Sequence, residues 1–401
     1  MQTEEKKYIG IFNDSFPPII DGVTQTILSY VDWLKNHGYD PCVVTPSNPV
    51  KIDVPYKVIR YFSLPIPSRN PYRYGYPKLD PFIWGKMRNT PFRLIHSHSP
   101  FAAGRLGVYA KKKQGIPLIG TFHSKYKSDL KHSFRYLPWG VPIIMKRILN
   151  FYNACDEVWI PQASVEDTIR EYGFKGRVEV VENGIDYGDI PVEDIKHYKS
   201  EARKELNLQK DELSLLFVGQ HIWEKGIKVI VEALKLLDPN VRFRMTFIGE
   251  GYAKKDLKSL IANYGLDSKT QMLDLVTDRE TLRKYYASAD LFLFPSRYDN
   301  APLVVREAAS METPSIIPTG ATASEVISHN SNGFLCDDTP EAYASLITEL
   351  YNDRARLEKV ALESRLSLVR GWEDVMEEIE DRYKNLIRRF EKDRVHFDKK
   401  S

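Results

Sequence analysis

Four short stretches of this 401-residue sequence hold residue types and spacings that can do chemistry. In FVGQHIWEKG, Lys225 and Gly226 stand where a strand gives way to a helix. A lysine beside a helix N-terminus is a point charge suited to a diphosphate, because the free first-turn N–H groups and the helix dipole are positive at the same end. A solvated surface lysine accounts for the same residue more plainly. In FPPIIDGV, Gly22 precedes a helix and would let a phosphate approach the backbone, although one glycine also makes an ordinary turn. In FPSRYDNAPLVVREAAS, Asp299 and Glu307 are eight residues apart, the second in a helical stretch. A carboxylate placed there can accept two sugar hydroxyls, as in ribose recognition, and an exposed helix face explains the spacing equally well. Lastly, His96, His98 and His123 occur in IHSHSPF and GTFHS, at or near strand ends. No carboxylate or cysteine accompanies them at ligand spacing, so packed, hydrogen-bonded histidines compete with catalytic ones and no metal site is expected. His123 is the best of the three, since it ends a strand that should be central.

The elements that must position these loops repeat one pattern. KKYIGIFND reads as a strand, VTQTILSYVDWLKNHG as a helix with an apolar stripe of Val23, Ile27, Leu28, Val31 and Leu34, and DPCVVTP as a second strand. Gly38 falls where a helix C-terminus favours glycine. Strand, loop, helix, strand is a βαβ unit, which requires a parallel sheet covered by helices. FRLIHSHS, PLIGTFHS, DEVWIPQ and RVEVVENG continue it. After a charged joint, DIPVEDIKHYKSEARKELNLQKDE, the alternation restarts with LSLLFVGQ, RFRMTFIGEG, QMLDLV, DLFLFPS, PSIIPTG and NGFLCDD as strands. The expected division is residues 1–190, residues 191–371, and a long amphipathic helix over residues 372–401. That helix has no sheet of its own to complete, so it should cross back onto the first domain. In such sheets ligands bind beyond the carboxyl ends of the strands, where the four stretches fall.

Composition narrows the class. Hydrophobic content of 42% and charged content of 28% are those of a soluble globular enzyme. Three separated cysteines without a CxxC pair fit a reducing, cytoplasmic compartment. MQTEEKKYIGIF is wrong for a signal peptide, and no apolar run is long enough to span a bilayer. A net charge of +3 comes with no recognisable nucleic-acid module, so no nucleic-acid partner is expected.

Taken in order, PPIIDGV, IHSHSPF, GIPLIGTFHSKY, ACDEVWIPQ, VENGID, FVGQHIWEKG, FIGEG, YYASADLFLFPS and the Asp299-to-Glu307 spacing with PLVVREAAS resemble the retaining GT-B glycosyltransferases over nearly the whole chain. The resemblance implies an α/β fold of two facing Rossmann-like domains, the first for the acceptor and the second for the nucleotide sugar. It implies a metal-independent enzyme with no cofactor, for which a UDP-hexose is substrate. By position, Gly22 would lend backbone N–H to the donor diphosphate, His123 would contact the transferred sugar, and Lys225 would neutralise the leaving group. Glu307 would hold the ribose, Asp299 would stand where the family has a sugar-binding glutamate, and the amides of Leu303 and Val304 would face the diphosphate, Pro302 having none. Asn183, Gly184 and Asp186 match a segment near the hinge. Gln220 departs from the family, which usually has arginine there, and leaves Arg297 and Arg306 as candidate replacements. Asp21 replaces one glycine of a frequent pair.

TFHSKYKSDLKH is similar to diacylglycerol α-glycosyltransferases, and the residues after it mix Trp139, Ile143, Ile144, Met145, Ile148 and Leu149 with Lys146 and Arg147. Basic and apolar side chains on one helix suit a membrane surface with anionic headgroups, and an apolar stripe also suits a core. Lys111, Lys112 and Lys113 add charge in the same domain. The expected acceptor is therefore a membrane lipid, diacylglycerol or ceramide, glycosylated at the inner face of the cell membrane by a peripheral enzyme. A polysaccharide or small soluble acceptor, a nucleotide-sugar epimerase, and a non-catalytic binder that exploits Gln220 are the alternatives.

Overall fold

Tyr8–Phe12 (β1) sends Ile9 and Ile11 to one face of a sheet and Phe12 to the other, and both faces are buried. In this computed structural model, which describes residues 7–19, 21–66, 71–127, 130, 139–186, 190–297 and 299–398, β1 is an inner strand of a parallel seven-stranded sheet. Its other strands are Pro41–Pro46 (β2), Lys57–Tyr61 (β3), Phe92–Ser97 (β6), Leu118–Thr121 (β7), Glu157–Ile160 (β8) and Val178–Val180 (β9). The order is β3-β2-β1-β6-β7-β8-β9, and the small antiparallel hairpin Ser63–Pro65 (β4) with Arg73–Gly75 (β5) stands apart from it. Strands covered on both faces read as near-continuous apolar runs, as PCVVTP does.

One face packs on the helices Ile83–Asn89, Ala102–Gln114, Gly140–Tyr152 and Val165–Glu171, the other on Gly22–Asn36 and Trp372–Asp398. Val375, Met376, Ile379, Tyr383, Leu386 and Ile387 make the buried stripe of the last helix and join Ile9, Ile11, Leu94 and Trp159 in one core. The C-terminal helix thus crosses back to the first sheet, which needs it to cover the second face. The chain divides into Met1–Asn183 with Trp372–Ser401, and Gly184–Gly371.

The second unit has a parallel six-stranded sheet of Leu213–Val218 (β10), Phe243–Ile248 (β11), Thr270–Leu273 (β12), Leu291–Leu293 (β13), Ser315–Pro318 (β14) and Phe334–Cys336 (β15). Its order, β12-β11-β10-β13-β14-β15, reverses between β10 and β13, so the loops after these two strands flank a topological switch point, the place where such sheets bind ligands. The charged stretch read as a joint is instead the helix Val192–Glu205, whose Ile195 and Ala202 pack into the core beside Leu282 and Tyr286. Among the described residues no helix is long and apolar enough to cross a membrane.

Candidate functional site

The loop after β10 is held by its neighbours. Gly226 has φ +71°, turns the chain from the 3-10 turn Trp223–Lys225 into the helix Ile227–Leu236, and lies so close to Pro295 that a Cβ would stand 2.6 Å from its carbonyl oxygen. His221 N–H donates to Glu250 O at 2.8 Å, and Ala253 N–H donates to His221 O at 2.9 Å, which braces this loop against the end of β11. The turn delivers the Lys225 ammonium to the Asp299 carboxylate, carried by the loop after β13. Both side chains are largely buried, at 12% and 19% exposure. Asp299 Oδ2 is buried with no hydrogen-bond partner among the described residues, an arrangement that costs about 1–3 kcal/mol unless a donor arrives.

The same loop runs into the helix Leu303–Ser310, which begins after Pro302 with no side-chain cap, as does Ile227–Leu236. The first-turn N–H groups, Leu303 and Val304 included, are therefore left without the side-chain acceptor that helices usually acquire. One turn on, Glu307 is nearly buried. Tyr286 Oη donates to its Oε2 at 2.9 Å, and Arg279 Nη1 lies 3.3 Å from Oε1. Burial pushes the Glu307 carboxyl above the ordinary glutamate range, while Arg279 and Tyr286 pull it down. Arg279 also bonds Asp186 Oδ2 at 2.5 Å, so the segment expected near the hinge is tied to the carboxylate expected at the ribose. Sequence reasoning missed Arg279 and Tyr286; the one local signal was Asp278, which caps the helix Arg279–Ser288 through Thr281 N–H. Gln220 is exposed. Arg297 bonds Asp338 at 2.7 Å and Arg306 donates to Leu368 O at 3.0 Å.

His221 sits in the same loop, fully buried, and both ring nitrogens lack partners among the described residues. Burial, helped by the Lys254 charge, lowers its pKa to about 4.

In the first unit the three histidines form a stack; among the described residues no group of three or more His, Cys, Asp or Glu is placed to hold a metal. His96 is fixed by Tyr383 Oη at 2.7 Å and Thr121 Oγ1 at 2.6 Å, and its ring stacks on His98 at 4.1 Å. His98 Nδ1 is 3.0 Å from His123 Nε2. His98 Nε2 is buried and unpartnered among the described residues. A buried orphan N–H is rarer than an orphan lone pair, which assigns the His98 proton to Nδ1, donating to His123, and the His123 proton to Nδ1. Burial lowers His123 to about 4 and the other two well below the usual range, so the stack is neutral at pH 7.

Gly22 opens its helix in free space, but the preceding Asp21 already accepts Thr24 N–H at 2.7 Å and Tyr72 Oη at 3.1 Å. Asp21 thus caps the first turn of that helix through Thr24 N–H. The helix Gly140–Tyr152 divides the expected acceptor group: Trp139, Ile143, Lys146 and Arg147 face outward, whereas Ile144, with Met145 and Leu149, packs against the core that holds Ile148. Of the preceding stretch, residues 128–129 and 131–138 lie outside the described residues.

The family profile for glycosyl transferases group 1 matches residues 199–366, and that for glycosyltransferase family 4 matches residues 20–188. The alpha-monoglucosyldiacylglycerol synthase of Acholeplasma laidlawii is 26% identical over 84% of this chain and 87% of its own. A GDP-mannose-dependent alpha-mannosyltransferase of Corynebacterium glutamicum is 22% identical over 94% of this chain and 89% of its own. Among solved structures, Anabaena HepE in complex with UDP and glucose superposes with a TM-score of 0.73 at 16% identity, over 95% of this chain and 100% of that one.

Proposed function

The chain belongs to the group 1 glycosyl transferases with the GT-B fold, and from that premise we propose that it moves a hexose, glucose or galactose, from a UDP-sugar to a hydroxyl of diacylglycerol or ceramide, giving an α-glycolipid. The observation that carries the donor half is the Lys225–Asp299 pair at the switch point, with its unpartnered carboxylate oxygen beside two helix N-termini that lack side-chain caps. The departing diphosphate gains negative charge as the C1–O bond breaks. Fixed positive ends and a largely buried ammonium stabilise that charge more than they stabilise the intact donor, which is the condition for lowering the barrier. Asp299 Oδ2 accepts a sugar hydroxyl. Glu307 has lone pairs beyond those used by Arg279 and Tyr286, and these accept the ribose hydroxyls. His123, neutral, acts at the transferred sugar. The acceptor oxygen bonds to C1 on the face the diphosphate leaves, its proton passes to the released UDP, and no protein nucleophile, metal or cofactor takes part.

The lipid acceptor is supported by the synthase of A. laidlawii and by the outward Trp139, Ile143, Lys146 and Arg147, which suit a peripheral position on an anionic cytoplasmic leaflet. A GDP-mannose donor is the second reading, favoured by the mannosyltransferase that matches nearly the whole chain. Nucleotide release is the test: UDP-glucose, UDP-galactose, UDP-N-acetylglucosamine and GDP-mannose, each with and without liposomes containing diacylglycerol or ceramide. Release from a UDP-hexose only with lipid supports the proposal. Lipid-dependent release from GDP-mannose alone transfers it to the second reading, and lipid-independent turnover removes the lipid acceptor.

A further inference from the structure

The hairpin of β4 and β5 is inverted relative to an ordinary surface hairpin. Leu64 pairs directly with Tyr74 and Ser63 with Gly75, and Tyr76 N–H donates to Phe62 O at 2.8 Å. Alternation therefore places Phe62, Leu64, Tyr74 and Tyr76 on one face and Ser63 and Gly75 on the other. The Ser63–Gly75 face is packed down: Ser63 is buried, and a Cβ on Gly75 would stand 2.3 Å from the Tyr61 ring and 3.0 Å from Ala102 Cβ. The outward face is the apolar one, and Leu79 and Phe82 extend the apolar surface along the chain. These six side chains are exposed by 37% at Tyr76 to 72% at Phe82. A soluble chain seldom leaves so many large apolar groups together in water unless something covers them.

The charge along this stretch of chain is mostly of one sign. Between residues 62 and 88 the sequence has Arg69, Arg73, Lys78, Lys86 and Arg88 against the single acid Asp80. Asp80 is turned inward in function: it accepts the N–H groups of Phe62, Phe82 and Ile83. Lys78, Lys86 and Arg88 are exposed. Tyrosine rings with apolar bodies and polar tips, flanked by lysine and arginine, match the boundary between headgroups and acyl chains of an anionic bilayer.

We propose that the outer face of the β4–β5 hairpin, with Leu79 and Phe82, docks this protein on an anionic lipid surface. The inference rests on the lipid-acceptor reading for its purpose but on the hairpin alone for its physics. It adds the hairpin to the outward face of the helix Gly140–Tyr152 as an anchor.

The test is co-sedimentation of the full chain with phosphatidylcholine vesicles made with and without phosphatidylglycerol. The expected result is binding that requires phosphatidylglycerol, weakens with salt, and falls by about tenfold or more in Leu64→Ser/Tyr74→Ser/Phe82→Ser and in Lys78→Glu/Lys86→Glu/Arg88→Glu. Equal thermal transitions for variants and wild type show that the fold is kept, as exposed positions should allow. Wild-type binding by both variants overturns the proposal, as does binding indifferent to phosphatidylglycerol. A wild-type dimer that becomes monomeric in the apolar triple variant also overturns it, assigning the face to a second copy. Nucleotide release with a detergent-dispersed short-chain diacylglycerol separates the two readings. If the triple variant keeps that activity but loses vesicles, docking stands; if the wild type shows no such release yet binds vesicles through the hairpin, docking stands and the acceptor reading falls.

Discussion

Lys225 and Asp299 depend on each other for stability and differ in the parts proposed for them in the reaction. Lys225→Ala leaves the Asp299 charge buried and unpaired, which should cost on the order of 3 kcal/mol and be seen as a lower denaturation midpoint. Adding Asp299→Asn removes that charge and should recover at least half of the loss. Turnover should fall by about 100-fold or more in the single variant and stay low in the double one, because leaving-group stabilisation is not restored. Recovery of both together would show the lysine to be structural. His221 permits a second prediction. Its folded pKa of about 4 lies below the ordinary 6.5, so the unfolded chain takes the proton more readily. Stability from this residue is whole above pH 6.5 and is lost as pH falls toward 4. In His221→Phe the drop in unfolding free energy from pH 7 to pH 5 should shrink by about 2 kcal/mol, measured by urea titration at each pH. An unchanged drop would mean that the ring is charged or solvated in the folded state. At this scale the sequence was legible as to position, where a residue type met a strand end: Lys225 and Asp299 do meet beyond β10 and β13, and Glu307 lies in the helix that follows. It was silent on Arg279 and Tyr286, which reach Glu307 from another helix, and on Asp21, whose capping role depends on the helix starting at Gly22.

Elements were legible in proportion to their apolar pattern. The buried strands β1, β2, β10 and β11 are unbroken runs of the expected kind, and the stripe of the last helix pointed to a distant sheet. The segment from residue 51 to 91 was not: proline breaks up β4 and the start of the helix region, and an outward apolar face does not follow the inward-apolar rule. The helix Val192–Glu205 was hidden because, among its described side chains, a narrow stripe of Ile195, Tyr198 and Ala202 interrupts its charges. The helix Trp372–Asp398 carries its own prediction, since Tyr383 fills the core and holds His96. Tyr383→Phe should cost about 1 kcal/mol in thermal unfolding by removing one buried hydrogen bond, whereas Tyr383→Ala should cost about 3–5 kcal/mol by opening a cavity. Equal costs would mean that the hydroxyl, and not the ring, fastens the helix to the first sheet.

For the whole molecule, the alternation of strand-like and helix-like segments along the chain is enough to reveal two α/β units. The leading segment of the first unit ends at Asn183, ahead of the expected 190, and Trp372–Ser401 completes that unit. The central claim is transfer of a hexose to a lipid hydroxyl with the anomeric configuration kept. The measurement that tests it most directly is incubation with UDP-hexose labelled in the sugar, diacylglycerol liposomes and either wild-type protein or Glu307→Ala, followed by solvent partition and NMR of the organic phase. The expected result is label in the lipid fraction as an α-glycoside with wild type and its near-absence with Glu307→Ala. Label that stays in the aqueous phase with diacylglycerol and ceramide alike, or a β-linked lipid, would contradict it.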